Sequence, residues 1–311
     1  MSNCAASREE IFTVCIAPCG YNTLNSVCPA HNRTEHPDMD LPIFQIDAFT
    51  STEGSLFSGN AAAVVPLHQW LSDAEMLAIA AENNLSETSF FVRQTDGTYA
   101  IRWFTPTAEV DLCGHATLAA AHVIHQVLGD EREELPLTCG VGNISVTVID
   151  GESPEYELNF PNRAPEPLKG KRLLNQVAKA LGVPVVALHQ SRDLIAELAD
   201  AETLKSCQPD FSLIKALDIF GLAITAPGGS EGLDFVCRFF APQQGIDEDP
   251  VTGSAYCSLA PLWAERLEKH QLSARQCSQR GGDVSLTVGE DTVGIRGTTF
   301  HFMQGVIRLP D

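Results

Sequence analysis

The chain has 311 residues, with 20 Lys and Arg against 40 Asp and Glu, a formal charge of −20. Its length sets a prior of about two domains, and 44% hydrophobic residues are enough for a sizeable core. The acidic balance argues against a nucleic-acid or anionic-membrane surface, although a pocket can still be locally positive on a negative protein. No apolar run approaches the ~18 residues of a membrane helix. The N-terminal stretch has no Lys/Arg-led apolar region, so no secretory signal is expected. Ten cysteines without a C-x-x-C then read as reduced thiols of a cytoplasmic protein.

Residues 1–38 show little periodicity. Cys15, Cys19 and Cys28 with His31 match no zinc module, so no metal is expected. The segment reads as a disordered or artefactual extension. From Met39 the chain enters strands over Ile43–Phe49 and Ala61–Val65. Ser72 with Glu75 forms a capping box for a helix over Asp73–Glu82. Strands follow at Glu87–Arg93 and Tyr99–Phe104, rich in aromatic and β-branched residues. The segment His115–Leu128 is apolar nearly all round, and a helix without a polar stripe should be buried. Strands Ile144–Ile149 and Tyr156–Phe160 end a first domain over 39–160.

A second domain over 161–311 repeats the plan, and its last strand is placed to pack back on the first. Helices are expected at Leu173–Leu181, Ala201–Ser206 and Ser254–Glu268. Strands are expected at Asp193–Glu197, Phe220–Thr225, Phe235–Phe239, Ala274–Ser278, Val284–Val288, Thr292–Arg296 and His301–Arg308. Pro261 should kink the long helix or restart it. The repeat also shows in letters. Arg102-Trp-Phe-Thr-Pro106 matches Arg238-Phe-Phe-Ala-Pro242, and each is followed by an acidic loop, a glycine and a helix. Two similar halves are the simplest inference.

Five features could carry chemistry. Gly114 and Gly253 open helices, where free N–H groups and the helix dipole can hold a carboxylate or an oxyanion. Ser254 adds a hydroxyl beside the second glycine. Glu87 lies between a helix end and an apolar strand, where a carboxylate suits general acid/base work, although a surface loop would explain it equally. Asp249 ends the crowded run Asp247-Glu-Asp. Crowding raises carboxyl pKa values, and Pro250 extends the backbone and aims Asp249 at the helix mouth. His115 follows Gly114, where the dipole should favour its neutral form. Cys113 could be an activated thiol, but the second half offers no partner cysteine for a two-thiol proton transfer. No dinucleotide, P-loop or zinc-protease motif is present.

Together these letters resemble the phenazine-biosynthesis isomerase (PhzF-like) family. The resemblance rests on Asp47-Ala-Phe-Thr, Gly59-Asn60-Ala, Asn84-Leu-Ser-Glu87-Thr, Arg102 through Thr117, Asp249-Pro-Val-Thr-Gly-Ser254-Ala and Gln279-Arg-Gly-Gly282. It implies an α+β, diaminopimelate-epimerase-like duplicated fold: two similar domains, each a mixed barrel-like sheet around a central helix, with the site between them. It also implies Glu87, His115 and Asp249 as catalytic residues, Gly114, Gly253 and Ser254 as substrate-binding residues, no cofactor, and a homodimer. The expected function is a cofactor-independent isomerase that moves a proton on a small, carboxylate-bearing metabolite. The alternatives are a non-catalytic metabolite-binding protein on the same scaffold and a hydrolase built on Cys113.

Overall fold

A computed structural model of the protein describes residues 40–51, 56–149, 151, 154–229 and 232–309. The expected extension over 1–38 lies outside them. The first half contains β1 (Asp40–Ala48), β2 (Asn60–Leu67), α1 (Asp73–Asn83), β3 (Glu87–Arg93), β4 (Tyr99–Phe104), β5 (Glu109–Val110), α2 (Gly114–His122), β6 (Glu134–Cys139), β7 (Gly142–Ile149) and β8 (Glu155–Pro161). The second contains β9 (Glu166–Leu168), α3 (Lys171–Leu181), β10 (Ala187–Gln190), β11 (Leu194–Glu197), α4 (Ala201–Ser206), α5 (Phe211–Lys215), β12 (Leu222–Pro227), β13 (Phe235–Ala241), β14 (Ile246–Asp249), α6 (Tyr256–Leu267), β15 (Gln271–Gln276), β16 (Gly282–Val288) and β17 (Thr292–Arg308).

The halves repeat strand by strand. The pairs β1–β2, β2–β3, β3–β4, β4–β6, β6–β7 and β7–β8 run antiparallel, parallel, antiparallel, parallel, antiparallel and antiparallel. The pairs β10–β11, β11–β12, β12–β13, β13–β15, β15–β16 and β16–β17 follow the same order of senses. The matched arginines do the same job in each copy. Arg102 on β4 is held by Glu109 at 2.6 Å, and Arg238 on β13 by Glu248 at 2.7 Å.

The copies exchange strands where they meet. β8 leaves β7 and pairs antiparallel with the first part of β17, and the chain then continues into β9, which pairs with β10. β17 leaves β16 and runs on to pair with β1. This second exchange closes an eight-stranded barrel, β1-β2-β3-β4-β6-β7-β8-β17. Its interior is filled by α2, buried from His115 to His122. In the second half α6 is buried from Tyr256 to Ala264.

Three expectations change. The helix expected over His115–Leu128 stops at His122 and ends in a wider π-helical turn over Val123–Val127. The two strands expected at Thr292–Arg296 and His301–Arg308 are one strand, because the stretch between them runs from the β16 pairing of the second half to the β1 pairing of the first. Pro261 neither breaks nor restarts α6. Its missing N–H leaves the Cys257 carbonyl without a helical donor, and the Arg163 N–H takes that place at 2.9 Å. α5 and the short β5, β9, β10 and β14 had too few residues to show a period.

Phe49 is the wedge at this junction. It is fully buried and sits at φ 60°, a left-handed conformation that is costly for a bulky residue. A Cβ on Gly297 would meet its ring at 2.4 Å, and one on Gly282 would meet its carbonyl oxygen at 2.3 Å and Val251 at 2.5 Å. Backbone cannot step aside cheaply, so Gly282→Ala should destabilise the protein by about 3 kcal/mol. Urea unfolding would show this as a lower midpoint at unchanged slope.

His122 reports on the barrel interior. Its Nδ1 lies 2.8 Å from Thr299 Oγ1, and its ring meets those of His301 and Tyr156 edge-on. Burial first, then the charges of His301 and His125, lower its pKa to about 4 from 6.5. The unfolded chain therefore takes up a proton between pH 6.5 and 4 that the folded one refuses, and stability falls with pH across that window. Between pH 7 and 4.5 wild type should lose about 2–3 kcal/mol more than His122→Asn. Equal losses in denaturant titrations at the two pH values would remove this role.

Candidate active site

The start of α2 meets the 3-10 turn Gly253–Ala255 that leads into α6 and serves as that helix's start. A Cβ on Gly114 would lie 3.8 Å from the Gly253 Cα and 3.3 Å from the Phe160 ring, and one on Gly253 would lie 3.8 Å from the Gly114 Cα and from Phe49. Glycine is needed here for backbone-to-backbone approach, and the space a side chain would fill belongs to the opposite helix start. No side chain caps either start, at Cys113 or at Thr252, so first-turn N–H groups remain for a ligand.

Around this meeting point stand three titratable groups. Glu87 begins β3, beside Ala62 of β2. His115 is 5% exposed, and its Nε2 lies 3.2 Å from Glu87 Oε2. That contact is close enough for an ion pair but off the line of a hydrogen bond. Both buried atoms are left without a hydrogen-bond partner among the described residues. Burial opposes the charged imidazole, but Cys113 and Glu87 outweigh it and hold His115 well above the usual histidine range. This direction is opposite to the one expected from the helix dipole, because the side chains in contact with the imidazole, Cys113 and then Glu87, act more strongly than the helix end.

Asp249 comes from the second half and reaches this group through Asn60. The Asn60 amide donates to Asp249 Oδ1 at 2.8 Å and to the Val251 carbonyl at 3.0 Å, accepts from Ser86 Oγ at 3.1 Å, and lies 3.4 Å from His115 Nδ1. Thr252 Oγ1 donates to Asp249 Oδ2 at 2.5 Å. Loss of hydration, opposed by His115 and Thr252, pushes Asp249 up to about 6. Burial is the cause rather than the crowding expected from Asp247 and Glu248, since Glu248 is spent on Arg238. Burial, with Glu87 nearby, pushes the Cys113 thiol up, and its Sγ lies 3.5 Å from His115 Nδ1. The Ser254 hydroxyl accepts from Arg192 Nη2 at 2.9 Å.

Glu87, Cys113 and His115 also present ligand atoms within 4.8 Å of one another. A neutral thiol and a histidine held toward its charged form make a poor donor set, since metal binding needs both deprotonated.

The family model described as phenazine biosynthesis-like protein, PhzC-PhzF, matches residues 46–305. The chain belongs to this family. A Pseudomonas aeruginosa protein named an uncharacterized isomerase is 45% identical over 87% of this chain and all of its own length. A crystal structure of a PhzF family protein from Enterococcus faecalis superposes with a TM-score of 0.81 at 44% identity, covering 87% of this chain and all of that one. A hydroxyproline epimerase from Agrobacterium vitis shares the fold alone, with a TM-score of 0.57 at 9% identity, over 88% of this chain and 93% of its own.

In this PhzC-PhzF member the structure brings Glu87, His115, Gly114, Gly253 and, through Asn60, Asp249 into one group, with Ser254 at its second-half edge. Reasoning from sequence missed Asn60, Thr252, Gln276 and Arg192. Gln276 donates to the Asp249 carbonyl at 2.7 Å and accepts from the Thr252 N–H at 2.9 Å. One signal was available. Asn60 sits in the Gly59-Asn60-Ala motif, and Arg280 of the Gln-Arg-Gly-Gly motif grips that turn. Arg280 donates to the Gly59 carbonyl at 2.7 Å while paired to buried Asp47 at 3.0 Å.

Proposed function

We propose that this protein is an isomerase that shifts a proton on a small, carboxylate-bearing metabolite by carboxylate acid/base catalysis. The observation that carries the reading is the buried pair Glu87 Oε2 and His115 Nε2, 3.2 Å apart and with no well-aligned hydrogen-bond partner among the described residues, beside two uncapped helix starts. Buried polar atoms are seldom left unsatisfied, and a substrate would complete them.

In this reading the helix-start N–H groups bind the substrate carboxylate and a developing enolate. Glu87 removes a proton from the adjacent carbon. His115, charged and next to Glu87, stabilises the negative charge and returns a proton. Glu87 then hands its proton to His115 across their 3.2 Å contact, while Asp249, titrating near 6, is held beside the pair by Asn60 and Thr252. Cys113 takes no nucleophilic part, because its buried thiol is held protonated; this counts against the hydrolase alternative. The related proteins named isomerases support the reaction class.

The test is incubation with a metabolite extract in heavy water. Enzyme-dependent uptake of one deuterium by a small acid, read by mass spectrometry, supports the reading. Tight capture of a metabolite without any exchange would instead establish a binding protein on the same scaffold.

A further inference from the structure

The second-half rim of the site carries positive charge that the proton shift does not use. Arg192, in the turn between β10 and β11, is buttressed by Asp193. Its Nε and Nη2 donate to the Asp193 carboxylate at 3.2 and 2.8 Å, and Asp193 is only 3% exposed. The same Nη2 reaches Ser254 Oγ at 2.9 Å, and the guanidinium lies 4.9 Å over the half-exposed Phe220 ring. Nη1 has no partner among the described residues. A guanidinium fixed on one edge by a buried carboxylate, and open on another, is preorganised to take a second anion in its plane.

Arg163 strengthens the same spot. Its backbone is pinned there, the N–H on the Cys257 carbonyl at 2.9 Å and the carbonyl accepting from Ser191 Oγ at 3.2 Å. Its side chain is exposed and makes no ion pair among the described residues. The charges of Arg163 and Arg192 both bear on Cys257, one helical turn beyond Ser254. Asp193 is the carboxylate facing Arg192, and it offsets one of the two positive charges. On a chain of formal charge −20 this positive charge reaches the second helix start at Ser254, the residue after Gly253.

We infer that the substrate carries two carboxylates: one held at the Gly114–Gly253 helix starts, the second held by Arg192 and Arg163 beside Ser254. The inference rests on the proposed binding of the first carboxylate at the glycine pair and adds the substrate class to it. The two arginines act as specificity residues and leave the proton transfer to Glu87 and His115.

Calorimetric titration of the full chain with propionate, malonate and succinate tests this. The expected result is that one of the dicarboxylates binds at least 10-fold more tightly than propionate. That preference should fall below about 3-fold in Arg163→Gln and in Arg192→Lys, with propionate affinity unchanged. Arg163→Gln orphans no buried partner and Arg192→Lys keeps a charge opposite Asp193, so neither depends on tolerating a bare buried carboxylate. Equal binding of all three acids to wild type would overturn the second subsite while leaving the first standing. A preference that survives both substitutions would do the same. A parallel fall in propionate affinity would also overturn it, since the arginines would then serve the single carboxylate. Failure of every acid to bind would overturn the glycine-pair site together with this inference.

Discussion

Glu87→Gln should reduce deuterium exchange by about a thousandfold, in the middle of the range for loss of a positioned general base. The substitution keeps the size and shape of the side chain and leaves an amide opposite His115 Nε2, 3.2 Å away in wild type. The fold should survive, because Glu87 makes no hydrogen bond that holds β3 in place; strand pairing with β2 and β4 does that. A second consequence separates catalytic loss from structural damage. Glu87 is one of the charges that raise His115, so His115 should titrate lower in the variant, visible in its imidazole NMR signals. Exchange at the wild-type rate in Glu87→Gln would remove Glu87 from the mechanism. An unchanged His115 titration would show that the pair is not coupled.

Asp249→Asn should uncouple stability from activity. The carboxyl titrates at about 6 in the folded protein against 3.8 in a free chain, chiefly through loss of hydration. Its folded pKa is raised, so the folded state holds a proton between those values that the unfolded chain has lost. Ionisation therefore works against folding above pH 6, and the penalty disappears as pH falls through 6 toward 4. At pH 8 it amounts to about 2 kcal/mol once partial exposure is allowed for. An asparagine can still accept from Asn60 and can donate its amide to the Thr252 hydroxyl. Asp249→Asn should then melt about 5 °C higher than wild type at pH 8, and within about 2 °C of it at pH 4.5. Exchange activity should fall by about a hundredfold or more. A variant that is less stable at pH 8 would show that Asp249 is a structural hydrogen-bond acceptor first. Full activity would show that the Asp249 carboxyl has no part in the proton transfer.

How much of this could be read from the letters depended on the range of the interactions. The capping box of Ser72 and Glu75 is closed within one helical turn, and it is present as expected, with Ser72 N donating to Glu75 Oε2 at 2.7 Å. The apolar stretch after His115 is buried as its composition required, since a helix with no polar face has nowhere else to go. The Arg102 and Arg238 motifs marked the duplication because each arginine meets its acid one hairpin away, within a single copy. Asn60 was visible only as part of a motif. Its partners Ser86, His115, Asp249 and Val251 lie 26 to 191 residues away, and no local pattern encodes such contacts. The same holds for Arg192 and Ser254, 62 residues apart.

The sequence by itself determined the duplicated α+β plan, the two buried helices and the chemical types at their mouths, because periodicity, glycine placement and repeated motifs are local properties. The return of the last strand, β17, to the first half was expected and is present; only the tertiary structure decided that β8 crosses the other way, that the two helix starts touch through glycine, and that Phe49 adopts a strained backbone to wedge them. It also decided the charge of His115. The helix dipole pointed one way, and contacts with Cys113 and with Glu87, brought in by β3, reversed it. Protonation in a buried site is set by the nearest charge in space, and which charge is nearest is settled by the packing of the two halves.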